Sequence, residues 1–455
     1  MSGNHNVNRR SFLKGAGMTA LAGAVGAAGA GAASTAAAAA GTPYLRNGKY
    51  DFDTVYNRVG SDSVKWDSQI TKYGKKVKIG MGIADTDFRA APCIGEAMAE
   101  RLQHENWGYL SVEGMAEFRE VIAEWNHDRY GLTVDPTTLQ IATGVHPGLI
   151  ASIKTLSPPM GKVLLMTPTY NGFYSDLLHS RTLKNESLMI FENNEYTVDW
   201  DDLEARMTAD THTMLLCNPQ NPTGNVWSED DLLRIGELCL KHQVIVLSDE
   251  IHMDIVRPGH KTTPFASLPD KDIVNNSLTF RAITKTFSMP ASKNAYWFST
   301  NPVLLERVKK NHQAGINTLG VVANTAAYQH GKDWLDQMLV YLDGNHQFVE
   351  DYIKENMPEV GYTRSQGTFL SWLHFDDTME KIGAVEKSAA SQMTDKPLTP
   401  SEVFEDWLVD QSGIQLNDGQ GYGKGGESCM RMNIGCSRKI LNEALRGIRD
   451  AVRSV

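Results

Sequence analysis

The chain has 455 residues, 41% of them hydrophobic and 22% charged, with a formal net charge of −10. That balance suits one large or two moderate globular domains and argues against a general affinity for nucleic acid or anionic membrane. The cysteines (Cys93, Cys217, Cys239, Cys429, Cys436) form no CxxC pair and have no histidine companions at metal spacing, so neither a disulfide framework nor a metal centre is expected.

Residues 1–40 read as an export leader rather than as part of the fold. Asn8-Arg9-Arg10-Ser11-Phe12-Leu13-Lys14 has the form of a twin-arginine signal. A weakly apolar Gly/Ala stretch follows, then Ala38-Ala39-Ala40, a small-residue cleavage pattern. Ala and Gly transfer poorly into lipid, which disfavours a membrane span. The expectation is a bacterial protein exported in folded form, mature from near Gly41, and periplasmic or secreted.

Helical and extended patterns alternate from about residue 90. Phe118, Val121, Ile122 and Trp125 recur at helical spacing between Gly114 and Tyr130. Ser228-Glu229-Asp230-Asp231 resembles a capping box that opens a helix with Leu232, Ile235, Leu238 and Cys239 inward. Asn301-Pro302 gives a cap followed by proline at the first helical position. A last helix carries Ile440, Leu441, Ala444, Leu445, Ile448 and Val452 on one face. Between the helices, Val163–Met166, Met214–Cys217 and Val244–Leu247 are apolar runs without polar alternation, as in strands buried on both faces of a parallel sheet, and Leu278–Ile283 is a further apolar, β-branched run. Gly367–Trp372 reads as a strand of a second unit, and the glycine-rich Asp418–Glu427 as a loop near Arg431, mobile or plain surface.

In an α/β sheet, ligands bind beyond the carboxyl ends of the strands, so the residues after each run locate the site. Val163–Met166 is followed by Tyr170, an aromatic face. Met214–Cys217 is followed by Asn218-Pro219-Gln220-Asn221-Pro222-Thr223-Gly224, a proline-stiffened turn presenting amides. Val244–Leu247 leads to Asp249 and His252, and Leu278–Ile283 to Thr284 and Lys285. Thr143-Gly144-Val145-His146-Pro147 reads as a glycine turn into a helix N-terminus, a ready phosphate site. An amine, a carboxylate, a stacking ring, an amide and a phosphate cradle are what pyridoxal 5′-phosphate requires.

NPQNPTG, SDEIH and TKTF in this order resemble the fold-type I, class I/II aminotransferase family. The segments ADTDF (84–88), WGY (107–109), TPTYNGFY (167–174) and RMNIGCSR (431–438) are most similar to its MalY/PatB-type cystathionine β-lyase subgroup. The resemblance covers nearly all of the chain beyond the leader. It implies an α/β fold: a large domain with a mainly parallel seven-stranded sheet over residues 95–325, and a smaller α+β domain from residues 41–94 and 326–455.

It also implies pyridoxal 5′-phosphate as cofactor, with Lys285 as the Schiff-base lysine and Asp249 as partner of the pyridine nitrogen. Asn221 is then the donor to the ring oxygen, Tyr170 the stacking ring, and Gly144 and Val145 the phosphate turn. Arg431 binds the substrate carboxylate, with Ala84 beside the substrate, and His252 orients Asp249 or simply packs beside it. Tyr109 is implied to reach the phosphate of the neighbouring subunit, hence a homodimer. Ala282 departs from the Ser or Thr usual in the family, which Thr284 or Lys293 offsets; His146 replaces an apolar residue, and Ser437 a proline. The implied activity is carbon–sulfur β-elimination from cystathionine or a cysteine S-conjugate. Transamination uses the same residues and is the alternative, ahead of a cofactor-bound regulatory protein.

Overall fold

The computed structural model describes residues 44–455 with the exception of 396, so the export leader read over residues 1–40 lies outside the described residues. The apolar runs fall in one sheet whose strands are β1 (Gln140–Ala142), β2 (Lys162–Thr167), β3 (Leu183–Leu188), β4 (Thr211–Cys217), β5 (Ile245–Asp249), β6 (Ser277–Arg281) and β7 (Ala295–Phe298). Their spatial order is β1-β7-β6-β5-β4-β2-β3, and within this sheet only β7 runs against its neighbours. The helices that matter here are α1 (Val112–Tyr130), α2 (Val145–Leu156), α3 (Gly172–Ser180), α4 (Glu229–Lys241), α5 (Pro302–Lys309), α6 (Lys332–Asn356) and α7 (Arg438–Val452).

Successive side chains of a strand face opposite ways, and here both faces are covered. Val163 and Leu165 of β2 pack with Leu149 and Ile153 of α2 and Phe173 of α3. Leu164 and Met166 turn to the other face and meet Leu232, Ile235 and Cys239 of α4. That double burial is why these strands read as unbroken apolar runs. Two helix starts follow the capping residues seen in the sequence, and a third cap, Ser437, joins them. Ser228 and Asp231 form the reciprocal capping box of α4, Asn301 caps α5 through the amides of Val303 and Leu304, and Ser437 caps α7.

Several boundaries differ from expectation. Strand β6 ends at Arg281, and Ile283 begins a single helical turn, Ile283–Thr286, that carries Lys285. Ile283 is fully buried, so its apolarity reports burial rather than strand conformation. Val244 precedes β5, and the strand expected at Gly367–Trp372 is displaced to Leu370–His374. Leu238 and Ile440 sit at the margins of their faces and are only half-buried.

A second, antiparallel sheet has β8 (Gly361–Tyr362), β9 (Leu370–His374), β10 (Asn417–Asp418) and β11 (Cys429–Asn433) in the order β8-β9-β11-β10. Met430 and Met432 of the central strand β11 join Leu441, Ala444, Leu445 and Ile448 of α7. Arg431 and Asn433 alternate with them and face the other way. The N-terminal strip docks beside this sheet: Ile79–Gly80 pairs with Ile414–Gln415, and the Met81 carbonyl accepts from the Asn433 amide at 2.7 Å.

Under the ends of β5 and β6 lies a buried ion pair. Glu250 Oε2 accepts from Arg281 Nη2 at 2.6 Å and from Nε at 2.8 Å. Glu250 Oε1 accepts from the Ser248 hydroxyl and the Phe265 amide, while Arg281 Nη1 donates to Asn126. Removing one member of such a pair strands the other charge. Glu250→Ala is expected to cost about 3–5 kcal/mol in urea unfolding. Arg206→Ala, which breaks the exposed pair with Asp202, is expected to cost about 0.5 kcal/mol or less. Equal losses in the two variants would contradict this assignment.

Candidate active site

Strands β1, β2, β4, β5 and β6 share one direction, so their carboxyl ends meet along one edge of the sheet. A cavity of about 220 Å³ opens there. Gly144 and Val145 at the start of α2, Tyr170 after β2, Asn221 after β4, and Asp249 and His252 at and after β5 line it. So do Thr284, Lys285 and Lys293, together with His146. The parallel strands thus gather residues far apart in the chain. Arg431 and Ala84 approach from the second sheet and the N-terminal strip.

Lys285 is half-buried, and its amine donates to the Ala84 carbonyl oxygen at 2.7 Å. Burial, then the nearby Arg431 guanidinium, pushes its pKa down to about 8, against the opposing pull of Asp85 and Asp249. Such an amine loses its proton near neutrality, which makes it a nucleophile and a base. The turn that carries it is pinned by the Thr286 hydroxyl, which donates to Asp254 at 2.7 Å. Asp249 moves the other way. Burial pushes its carboxyl up to about 6, opposed by the Ile251 amide and by His146. A carboxylate short of solvent is a strong acceptor for any cationic N–H that faces it.

Arg431 is buried among partners that leave capacity to spare. Nη2 donates to the Gly82 carbonyl at 2.8 Å and Nη1 to Asn221 Oδ1 at 3.2 Å, while Nε is buried without a partner among the described residues. With Oδ1 occupied, Asn221 has its Nδ2 as donor. The Tyr422 ring packs 5.1 Å from the guanidinium carbon, its hydroxyl accepting from Asn417. Tyr422 is fully buried, so the Asp418–Glu427 segment is not a plain surface loop. Gly423 adopts φ 89°, and a Cβ there would lie 1.9 Å from the Tyr174 hydroxyl.

Tyr109, read as reaching a neighbouring subunit, is fully exposed on this chain and does not line its cavity. Ala84 meets the site through its carbonyl, which accepts from Lys285. Of the two readings of His252, packing beside Asp249 fits better: the carboxylate accepts from the Ile251 amide at 3.1 Å, and the buried imidazole's Nδ1 has no partner among the described residues. Burial and the charges of Lys285 and Arg431 hold His252 well below the usual histidine pKa, so it is neutral.

Sequence reasoning missed Asn433, whose Nδ2 donates to the carbonyls of Ile83 and Asp85, both at 2.6 Å. It also missed Ser288, which accepts from the Thr86 amide at 2.9 Å, and the buried Tyr422 and Asp176. The signal for Asn433 was available: it stands two residues beyond Arg431 on the same face of β11. Nothing local marked the other three.

The family described as aminotransferase class I and II matches residues 76–448. The chain is 33% identical over 409 residues to cystathionine beta-lyase PatB of Bacillus subtilis strain 168, covering 88% of this chain and 100% of that protein. It is 29% identical over 412 residues to protein MalY of Escherichia coli strain K12, covering 89% and 100%. Among solved structures it resembles the PLP-bound C-S lyase of Staphylococcus hominis (TM-score 0.80, 27% identity, 89% and 98% covered). It also resembles cystalysin of Treponema denticola, a structure that contains pyridoxal 5′-phosphate (TM-score 0.79, 26%, 89% and 99%). The chain belongs to the class I and II aminotransferase family.

The residues present fit pyridoxal 5′-phosphate. A helix start free to bind an anion, a desolvated carboxylate, an amide donor, a ring and a reactive amine surround one cavity. The electrostatics can be tested without ligand. Labelling of the protein by an amine-arylating reagent, followed peptide by peptide, should show Lys285 half-reactive near pH 8, against about 10.4 for an ordinary lysine. Arg431→Met should move that midpoint up and Asp249→Asn should move it down. An unmoved midpoint in both would refute the charge coupling.

Proposed function

We propose, from membership of this family, that the chain is a pyridoxal 5′-phosphate-dependent carbon–sulfur β-lyase that cleaves cystathionine or a cysteine S-conjugate. The observation that carries the reading is the desolvated Lys285 amine set between Arg431 and Asp249 at the strand ends. The similarity to PatB and to C-S lyases favours elimination over transamination.

When bound, the cofactor supplies an aldehyde carbon that condenses with amines and a ring that takes up the electron pair released at the substrate's α-carbon. The rest falls to this chain. The start of α2 would hold the phosphate, the Tyr170 ring would cover one ring face, and Asn221 Nδ2 would donate to the ring oxygen. Asp249 would accept from the pyridine N–H and keep it charged. Arg431 receives the substrate's α-carboxylate, its planar fork matching two oxygens better than an ammonium could. Lys285 takes the α-proton, the bond from Cβ to sulfur breaks, and the sulfur leaves with the electron pair and regains a proton that Lys285 can return. Addition of water to the remaining three-carbon fragment gives pyruvate and ammonia, so one thioether and one water become thiol, pyruvate and ammonia.

The working unit we propose is a homodimer in which Tyr109 completes the neighbouring site. Tyr109 stands with Trp107, Leu102 and Val112, all exposed, in and around the irregular stretch before α1, an apolar surface that a second copy would cover. Mixing the impaired Tyr109→Ala and Lys285→Ala proteins should then give activity well above that of either alone. Strict absence of complementation, with hybrid dimers shown to form, would rule the shared site out.

The decisive assay follows pyruvate, free thiol and the cofactor's visible absorbance with L-cystathionine, and in parallel with an amino acid plus 2-oxoglutarate. A lyase releases pyruvate and thiol in equal amounts with the absorbance retained. Conversion reversed by the keto acid would establish transamination instead. Lys285→Ala should cut turnover by a factor of about 100 to 10,000 through loss of the base alone. Arg431→Ala should lower kcat/KM by about 1.5–3 kcal/mol, roughly 10- to 150-fold.

A further inference from the structure

One charged cluster in the cavity wall has no task in the reaction just described. His146, in the first turn of α2, lies with Nδ1 at 2.8 Å from both carboxylate oxygens of Asp176 on α3. Its Nε2 is 3.3 Å from the Tyr170 hydroxyl, and the two rings lie 5.5 Å apart at 37°. Asp176 is only 2% exposed. A buried carboxylate with one imidazole as its partner is costly unless the pairing is used.

The neighbourhood is shaped for this contact. A Cβ on Gly172 would come within 2.5 Å of Tyr170 Cε1 and 2.7 Å of His146 Cε1, so only glycine lets both rings approach α3. Gly172 and Asp176 stand one turn apart on the same face of that helix. A single helical face therefore supplies both the gap and the anion.

The hydrogen-bonding inventory then gives the cluster two states. With Nδ1–H given to Asp176, a neutral His146 has a lone pair on Nε2 and accepts from the Tyr170 O–H. A charged His146 carries a proton on Nε2 as well and donates it, so the Tyr170 proton must turn toward the cavity. We propose that His146, held by Asp176, is a positioning residue that sets whether the Tyr170 hydroxyl presents a proton or a lone pair to the ligand in the cavity. The ring is fixed in either state; only the polarity of its hydroxyl changes.

Every charge around His146 enters this balance. Burial opposes the imidazolium, as does Lys285 after β6; Asp176 on α3 and Asp249 on β5 favour it, and together they raise its pKa. His179, on the same helix as Asp176, acts on that carboxylate. The Tyr170 phenol is pushed up to about 12 by burial and stays protonated across the working range, so the reorientation does not ionise it.

The inference rests on the cofactor reading for its consequence but not for its test. Histidine-selective NMR of the ligand-free protein should show the His146 titration midpoint falling in Asp176→Asn. Tyr170→Phe, which keeps the ring and removes the hydroxyl, should shift the His146 resonances. In the cofactor-loaded enzyme, the visible circular dichroism should show a step at the His146 midpoint measured by NMR in that loaded form. His146→Val and Tyr170→Phe should each abolish the step, and the double variant should change nothing further. His146→Val should weaken cofactor binding roughly 2- to 12-fold, the range expected for one hydrogen bond. His146→Gln, which can still donate to the hydroxyl, should recover most of it. A step that survives in His146→Val, or additive effects in the double variant, would overturn the proposal. Failure of the wild-type protein to take up the cofactor would sink the functional reading, and the NMR pair would still decide this one.

Discussion

The hydrogen bond from Lys285 to the Ala84 carbonyl, 2.7 Å long, ties the chemistry of the first sheet to the N-terminal strip. It is one of a series. Along residues 82–86 the backbone makes no ladder, yet its groups are claimed one after another by side chains. Gly82 O takes Arg431, Ala84 O takes Lys285, Ile83 O and Asp85 O take Asn433, and Thr86 N gives to Ser288. Buried backbone groups must find partners, and here two of the partners are the cavity's own Lys285 and Arg431. A strip without regular structure thereby acquires a fixed path, and the residues it satisfies acquire fixed positions. Displacing it would at once release the amine, the guanidinium and the amide that sets their spacing.

The same economy of partners explains how a cavity can hold so many unmatched charges. Lys285, Asp249 and Arg431 all lie where water is scarce, and none has a full complement of oppositely charged contacts. The fold concentrates its complete pairing one layer below, where Glu250 and Arg281 satisfy each other and their neighbours. Glu250 directly follows Asp249, and the turn bearing Lys285 directly follows β6, whose last residue is Arg281. Rigid, fully bonded groups thus anchor the two strand ends, while the groups above them retain capacity for a ligand.

What the sequence made legible follows from this division. Double-sided burial of β2, β4 and β5 left unbroken apolar runs, and a parallel sheet forces whatever follows its strands, β6 included, onto one edge. Tyr170, Asn221, Asp249 and Lys285 could therefore be gathered from the sequence alone. Strand limits were less legible: Arg281 is charged yet lies inside a strand, and Ile283 is apolar yet lies in a helical turn, because apolarity records burial and not backbone conformation. Asp176 and Tyr422 were hidden for a different reason. Their importance comes from side chains met across the fold, His146 in one case and Arg431 in the other, and no local pattern encodes such a meeting. For His252, adjacency to Asp249 in the chain left contact and mere packing both open, and the turn geometry, with the Ile251 amide on the carboxylate, favours packing.

Arg431 links binding to basicity. As the structure stands, its charge helps hold the Lys285 pKa near 8. A substrate carboxylate that pairs with the guanidinium offsets that charge as seen from the amine, and with water excluded the change is felt strongly. The amine is thus poor at holding a proton while the site awaits an amino acid and better at holding one once the carboxylate has docked. An amine that lacked a carboxylate partner at Arg431 would never receive that increment. On the proposed function, the residue that would bind the amino acid's carboxylate would therefore also condition the base at the neighbouring carbon, so recognition and proton transfer could not be separated by mutating Arg431 alone.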